Sequence, residues 1–366
     1  MRKISIILLV SALCIGCSSD KKLNKECLLL DDVKYVSSIP KLVTLCEDSM
    51  TSVITPTLQI RNFAIVDSLL FIDTDQENGI LNIMSIVSGK SFGSFLDKGR
   101  AKGEFGFGIN LNLYTTFDQH KDSLFANLYD LIAGRLYRVN ITKQIIEGEC
   151  DVQEISMPGG LPRSAFWVKT VSDTLVYYRT IDKMETCQPR TIITPNGRIS
   201  TKVTNKLNEF EIPAKEDFNI ISSLIAFSPS KNMFVEAMIG MNYINIYSLH
   251  EDKGYTLCIG KELDKLSSIL STSKYDRKYI FADLRVYDFG IAALKYDIDE
   301  KVYLSDGEYY PSILMFDWNG NPIGEITSEV KFNHFDFDLK NGFLYILDKE
   351  GRLLKRKCNF IPKVTK

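Results

Sequence analysis

The sequence predicts an all-β chain folded as a six-bladed β-propeller, with four-stranded blades and a ring closed by a strand from the amino-terminal region. Three observations predict it. A two-residue polar turn leading into an apolar β-rich run recurs six times, with Leu70, Leu124, Leu175, Phe234, Val302 and Leu344 as equivalent anchors at spacings of 54, 51, 59, 68 and 42 residues. Sandwiches and barrels lack a repeat of that length. Most units carry four short runs, which describes a propeller sheet whose radial packing protects its edges. The last unit runs out of chain after its third run, GRLLKRKC, so a strand from elsewhere must complete it.

In order, the first unit reads NFAIV, LLFID, ILNIMSI and SFGSF; the second LFANLY, RLYRVNI and KQIIEGE; the third AFWVKT, LVYYRT, RTIITP and RISTKV; the fourth SLIAFS, MFVEAMI, YINIYSL and YTLCIG. The fifth is read from Val302 to Ile326, VYLSDGEYYPSILMFDWNGNPIGEI, as its second to fourth strands, with Asn319-Gly320 as a hairpin turn because both positions must accept positive φ. The sixth reads HFDFDL, FLYIL and GRLLKRKC, and its missing strand is expected from LVTLCED (42–48) or SVITPTL (52–58). Only Lys261–Ser271 has helical periodicity, and it reads as a loop excursion.

Hydrophobic content of 45% with 25% charged residues is that of a globular chain with a full core. The formal net charge is −2, and −4 without residues 1–16, which offers nucleic acid no electrostatic footprint. Residues 1–17, MRKISIILLVSALCIGC, join a basic start to an apolar run too short to remain as a spanning helix. The stretch resembles a bacterial lipoprotein signal, departing from it at Cys14. That likeness implies cleavage after Gly16, lipidation of Cys17 and stable membrane anchoring by acyl chains. Ser18 rather than Asp after the cysteine implies the outer membrane. The division is therefore a signal at 1–16, a lipidated tether at 17–39 and one propeller at 40–366. The remaining cysteines, at 27, 46, 150, 187, 258 and 358, have no zinc-ligand spacing. Cys27 and Cys46 are the one local pair to check for a bridge.

Two segments carry a wider resemblance. Gly99, Arg100, Gly103, Glu104 and Phe105 in KGRAKGEF, and Phe316, Asp317, Gly320, Asn321 and Pro322 in FDWNGNP, are similar to motifs of the TolB-like six-bladed propeller lipoproteins of Bacteroides and relatives. Ala101 and Lys102 depart from the first motif. The resemblance spans the mature chain and implies the fold and an envelope location, and it implies little about activity.

Candidate binding residues are Arg100, Lys102 and Glu104 in the Gly-flanked loop, which present charge to a carboxylate or sugar, and Trp167, Tyr309, Tyr310 and Trp318, which offer stacking surfaces. The plainer readings are a conformational loop and inter-blade packing. The acidic stretch DTDQENG lacks the glycine and bidentate glutamate of a calcium loop. With three histidines and no nucleophile motif, no catalytic set is legible. The expectation is a non-catalytic, monomeric module without a cofactor, binding a glycan, peptide or envelope protein. The alternative is a lactonase-like hydrolase holding a divalent metal in the central channel.

Overall fold

A computed structural model describes residues 26–53, 59–157, 159–305 and 307–359. The amino-terminal part supplies three strands, β1 (Asp32–Val36), β2 (Lys41–Leu45) and β3 (Thr51–Ser52). Six blades follow. Blade 1 is β4 (Ile60–Val66), β5 (Leu69–Thr74), β6 (Asn78–Ser85) and β7 (Ser91–Asp97). Blade 2 is β8 (Thr115–His120), β9 (Ser123–Asp130), β10 (Arg135–Asn140) and β11 (Val152–Ile155). Blade 3 is β12 (Phe166–Ser172), β13 (Leu175–Arg179), β14 (Arg190–Thr194) and β15 (Gly197–Ile199). Blade 4 is β16 (Ser223–Ser228), β17 (Met233–Met238), β18 (Tyr243–Ser248) and β19 (Lys253–Ile259). Blade 5 is β20 (Lys278–Tyr287), β21 (Gly290–Asp299), β22 (Ser312–Asp317) and β23 (Pro322–Ser328). Blade 6 is β24 (Phe332–Asp338), β25 (Phe343–Asp348) and β26 (Leu353–Lys357), completed by β3. Its closure is antiparallel, Leu354 facing Ser52 and Lys355 facing Thr51, so the edge is closed at the start of the second expected segment.

The first expected segment does something else. β2 adds to the outer edge of blade 5 in parallel with β23, and β1 adds likewise to β19 of blade 4. Residues 27–36, read from sequence as part of the tether, thus belong to the folded body. Cys27, Leu28, Leu29 and Leu30 are buried against blade 4, where the Leu28 N–H donates to Tyr243 Oη (2.9 Å) and the Leu30 N–H to Thr256 Oγ1 (2.9 Å). The amino-terminal chain is a belt stitching blades 4, 5 and 6 at their rims. Cys27 and Cys46 are both free thiols, so the bridge considered from sequence is not formed, and Cys150 is exposed in a connection.

One anchor moves. Val302 lies in a short helix, Glu300–Leu304, and the second strand of blade 5 begins at Gly290. With Ile291 in its place the last two spacings become 57 and 53 residues, level with the others. The true turn, Asp288-Phe289, hid because Phe289 is apolar; its ring stacks on Tyr287 at 5.1 Å. Val302-Tyr303-Leu304 is β-rich yet helical because Tyr303 stacks flat on Tyr279 (4.7 Å, 5°), a tertiary contact that overrides local preference. The Asn319-Gly320 turn does join β22 to β23, with Asp317 accepting the Asn319 and Asn321 N–H groups and Gly320 at φ 80°.

Two expected fourth strands also differ. KQIIEGE falls in helix α1 (Ile141–Glu147), capped by Asn140, whose side chain accepts the Lys143 N–H, and ended by Gly148 at φ 75°. RISTKV gives the three-residue β15 and then enters α2 (Lys202–Asn208), capped by Thr201. Two further helices are α3 (Leu266–Leu270), inside the segment read as helical, and the Glu300–Leu304 turn, here α4.

Antiparallel blades put the inner-to-second and third-to-fourth connections at one end of the ring and all others at the opposite end. Apart from the α1 excursion, the first end has tight hairpins. The second carries 98–114, 156–165, 180–189, 200–222, 260–277 and 300–311. This long-loop face is where variation in loop length concentrates, and loops on a rigid scaffold are where binding residues are usually placed.

Candidate binding surface and central channel

The long-loop face has a depression of about 370 Å³ between blades 3, 4 and 5. Trp167, Ile220, Ile239, Ile269 and Tyr279 give it apolar surface, and Asp217, Lys274, Arg277 and Glu300 supply charge of both signs. Trp167 sits at the head of β12 where the pairing with β13 slips register, and its φ of 50° is a strained value for a bulky side chain. Its indole stacks on Tyr114 (5.5 Å, 29°), which fixes the ring. Lys274 pairs with Asp217 at 3.1 Å.

Beneath the depression lies a wholly buried ionic cluster between blades 3 and 4. Glu236 accepts from Arg190 Nη2 (2.6 Å), Tyr247 Oη (2.6 Å), Tyr177 Oη (2.9 Å) and Ser223 Oγ (3.1 Å), with Arg179 Nη1 at 3.7 Å. Burial alone pushes the Glu236 carboxyl up, but Arg190 and Arg179 outweigh it and hold the group well below the usual carboxylate range. Gln188 connects the cluster to the depression by accepting from Arg179 and donating to Ser222 Oγ (3.0 Å).

The central channel is roofed on this face by residues 98–114. The Leu111 N–H donates to Asn62 Oδ1 of blade 1 (2.9 Å), Asn112 Nδ2 reaches Asp283 of blade 5 (3.4 Å), and Lys169 Nζ of blade 3 donates to the Asn112 and Thr115 carbonyls (2.7 and 3.0 Å). Leu113 packs into the core shared by blades 4 and 5. Below the roof the lumen is about 220 Å³, bordered by Lys169, Arg285 and Asp336. Arg285 Nη2 lies 3.5 Å from Asp283 and its Nη1 3.8 Å from Asp336; His334 Nδ1 is 3.4 Å from Asp283. Burial, then Arg285, lowers the Lys169 ammonium to about 7, whereas burial raises the Asp336 carboxyl.

The candidates named from sequence do not form one site. Arg100 and Lys102 are exposed on the roof loop, where Glu104 Oε2 accepts the Ala101 N–H (2.8 Å) and Phe105 is buried edge-on against Tyr137 (5.4 Å). Tyr309 is buried against Tyr296 (4.9 Å), while Tyr310 is exposed and donates to Glu308 (2.8 Å). Trp318 is at the opposite end of blade 5, its Nε1–H donating to the Tyr287 and Asp288 carbonyls (3.1 and 3.2 Å). Of the seven, only Trp167 lines the depression. Cys17 lies outside the described residues. Sequence reasoning missed Lys169, Asp283, Arg285, His334 and Asp336. The available signal was one or two charged residues inside the otherwise apolar inner strands of blades 3, 5 and 6, as in WVKTV, FADLRVY and HFDFD.

Among the described residues no three or more His, Cys, Asp or Glu side chains converge as a metal cage. Asp283 and Asp336 flank Arg285 instead, which does not fit a divalent cation.

No protein-family model matches the sequence, and no curated protein matches it. Solved structures do match in fold. A member of the DUF4221 family from Bacteroides vulgatus is similar at 11% identity and a TM-score of 0.52, covering 87% of this chain and 96% of its own. A Bacteroides fragilis protein described as exported is similar at 11% identity and a TM-score of 0.51, covering 88% of this chain and 98% of its own. At that identity the likeness is one of architecture, and it is shared along the whole ring.

Proposed function

We propose that this chain is a non-catalytic binding module of the bacterial envelope that docks a protein or peptide on its long-loop face. The observation that carries the reading is where exposed apolar side chains fall. Of ten large ones among the described residues, Phe107, Ile132, Met184, Tyr275, Leu304 and Tyr310 all lie on loops of that face, at 53–69% exposure. Large apolar side chains gathered on one face mark protein contact more than sugar contact, for which aromatic platforms with polar fringes are the expected form. The adjacent depression at Trp167, about 370 Å³, has room for an anchoring aromatic side chain and part of its neighbour. An envelope location is supported by the lipoprotein-like residues 1–17, with Cys17 as the anchor to the outer membrane, and by the export ascribed to the similar Bacteroides fragilis protein. The metal-dependent hydrolase draws no support from channel carboxylates already facing Arg285.

The test uses a soluble form starting at residue 26, which keeps the belt, with photo-crosslinkers at 184 and 310 and, as control, at 87 on the hairpin face. Envelope extract should yield a discrete crosslinked partner from the first two positions only, lost in Phe107→Ser/Leu304→Ser. Equal capture from position 87, or glycan-array binding insensitive to those substitutions, overturns the reading.

A further inference from the structure

We propose that the central channel is a second site, binding a small monocarboxylate with an apolar body whose carboxylate is held by Lys169 and Arg285. The channel's hydrogen bonds are unbalanced. Its acids are locally satisfied: Asp336 accepts the Ile65 N–H (2.8 Å), the Tyr287 hydroxyl (2.7 Å) and the Phe337 N–H (2.8 Å), and Asp283 accepts the Leu284 N–H (2.9 Å) besides facing Asn112 and His334. Its cations are not. Lys169 is 3% exposed and, among the described residues, has no carboxylate within ion-pair distance; two of its three N–H groups go to main-chain carbonyls. Arg285 makes one close bond, to the Phe63 carbonyl (3.0 Å), meets its two aspartates only at 3.5 and 3.8 Å, and has a buried Nε without a partner. Donors left open on two neighbouring buried cations are what an anion would satisfy.

The walls set the rest of the ligand. Besides the cations the lumen is bordered by the apolar Ile65, Val66, Phe117, Phe227, Leu284 and Val286. A volume of about 220 Å³ equals roughly seven liquid-water volumes, room for a ligand of about eight to ten non-hydrogen atoms. A fully hydrated phosphate or dicarboxylate would strand charge on those apolar walls, whereas a carboxylate with a short hydrocarbon or aromatic body matches both ends.

Titration calorimetry with hexanoate, 1-hexanol and acetate on the folded chain from residue 26 tests this. Hexanoate should bind saturably and at least about tenfold more tightly than either control, since a charge-assisted hydrogen bond contributes about that factor or more. Lys169→Met should weaken hexanoate about tenfold or more and leave hexanol unchanged. Ala226→Phe, which fills the lumen from blade 4 without touching a charge, should remove both. Groups facing Lys169 are Arg285 and Tyr287 from β20 and Asp336 from β24, with Asp283 and His334 behind them. Affinity for hexanoate should fall from pH 6 to pH 8 in the native chain and stay flatter in Lys169→Arg. Equal binding of hexanol, an unaltered hexanoate affinity in Lys169→Met with an intact melting profile, or no saturable binding overturns the proposal.

Discussion

Replacing Glu236 by Gln perturbs the buried charge cluster between blades 3 and 4, where one carboxylate faces two guanidinium groups. The isosteric amide removes the only carboxylate that, among the described residues, faces Arg179 and Arg190, and it turns an acceptor into a partial donor toward Tyr177, Tyr247 and Ser223. Breaking a buried pair by removing one partner costs about 3–5 kcal/mol, because the remaining charge is left uncompensated in low dielectric. For a domain of this size that corresponds to a fall of about 4–7 °C in the melting midpoint. Differential scanning calorimetry should show the fall at pH 7, and a second substitution, Arg190→Gln, should recover part of it, since the cations then drop from two to one. The pH dependence has a definite sign. The folded Glu236 carboxyl lies below its unfolded value of about 4.5, so its contribution is complete above that pH and is lost as pH falls. The gap between native and Glu236→Gln should therefore narrow below pH 4.5. A midpoint within 1 °C of the native one at pH 7, or a gap independent of pH, would refute the assignment of this cluster as a mutually dependent unit.

Other consequences follow from single features. Gly290 has φ 150° and a Cβ there would lie 1.9 Å from the Phe316 carbonyl oxygen, so Gly290→Ala should cost about 2–4 kcal/mol by denaturant unfolding. A chain starting at residue 53 lacks the belt, exposing the edges of β19, β23 and β26 and the sites of Leu28, Leu29, Leu30 and Leu45. Each such leucine is worth about 1.5–3 kcal/mol, so light scattering should report aggregation at temperatures where the belted chain is monodisperse. Lys169→Met loses the bonds to the Asn112 and Thr115 carbonyls at every pH, and its stability relative to the native chain should be highest at and below pH 7, where the native chain buries an ammonium. The folded ammonium at about 7 against 10.5 unfolded means the unfolded chain binds the extra proton between those values, so native stability rises with pH and the variant's relative stability falls toward pH 10.

The blade repeat was legible because each hairpin carries its own local signal. Asp67-Ser68 and Asp173-Thr174 are two-residue turns in the structure, and Asn319-Gly320 closes β22 on β23. Where the local signal was disguised, the reading slipped. Asp288-Phe289 has an apolar second residue, and Lys143–Glu147 is apolar enough to pass for a strand although Asn140 and Gly148 cap it as a helix. Of the aromatic candidates, Trp167 stands at the depression, while Trp318 is hydrogen-bonded at the other end of the ring. Stacking surface is a property of the residue, but the face it is delivered to depends on which turn of the blade carries it.

By itself the sequence determined the period, the strand count per unit and the absence of one strand at the end, since all three are written in turns and alternation over short stretches. The tertiary structure alone decided that Thr51–Ser52 closes the ring, that residues 27–45 run along the rims of blades 4 and 5, and that Lys169, Arg285 and Asp336 meet at the axis. Parallel addition to a blade edge requires an edge that exists only after the blade has formed. A channel lined by six inner strands likewise brings together residues from blades 3, 5 and 6 whose charges, in sequence, are isolated interruptions of apolar runs.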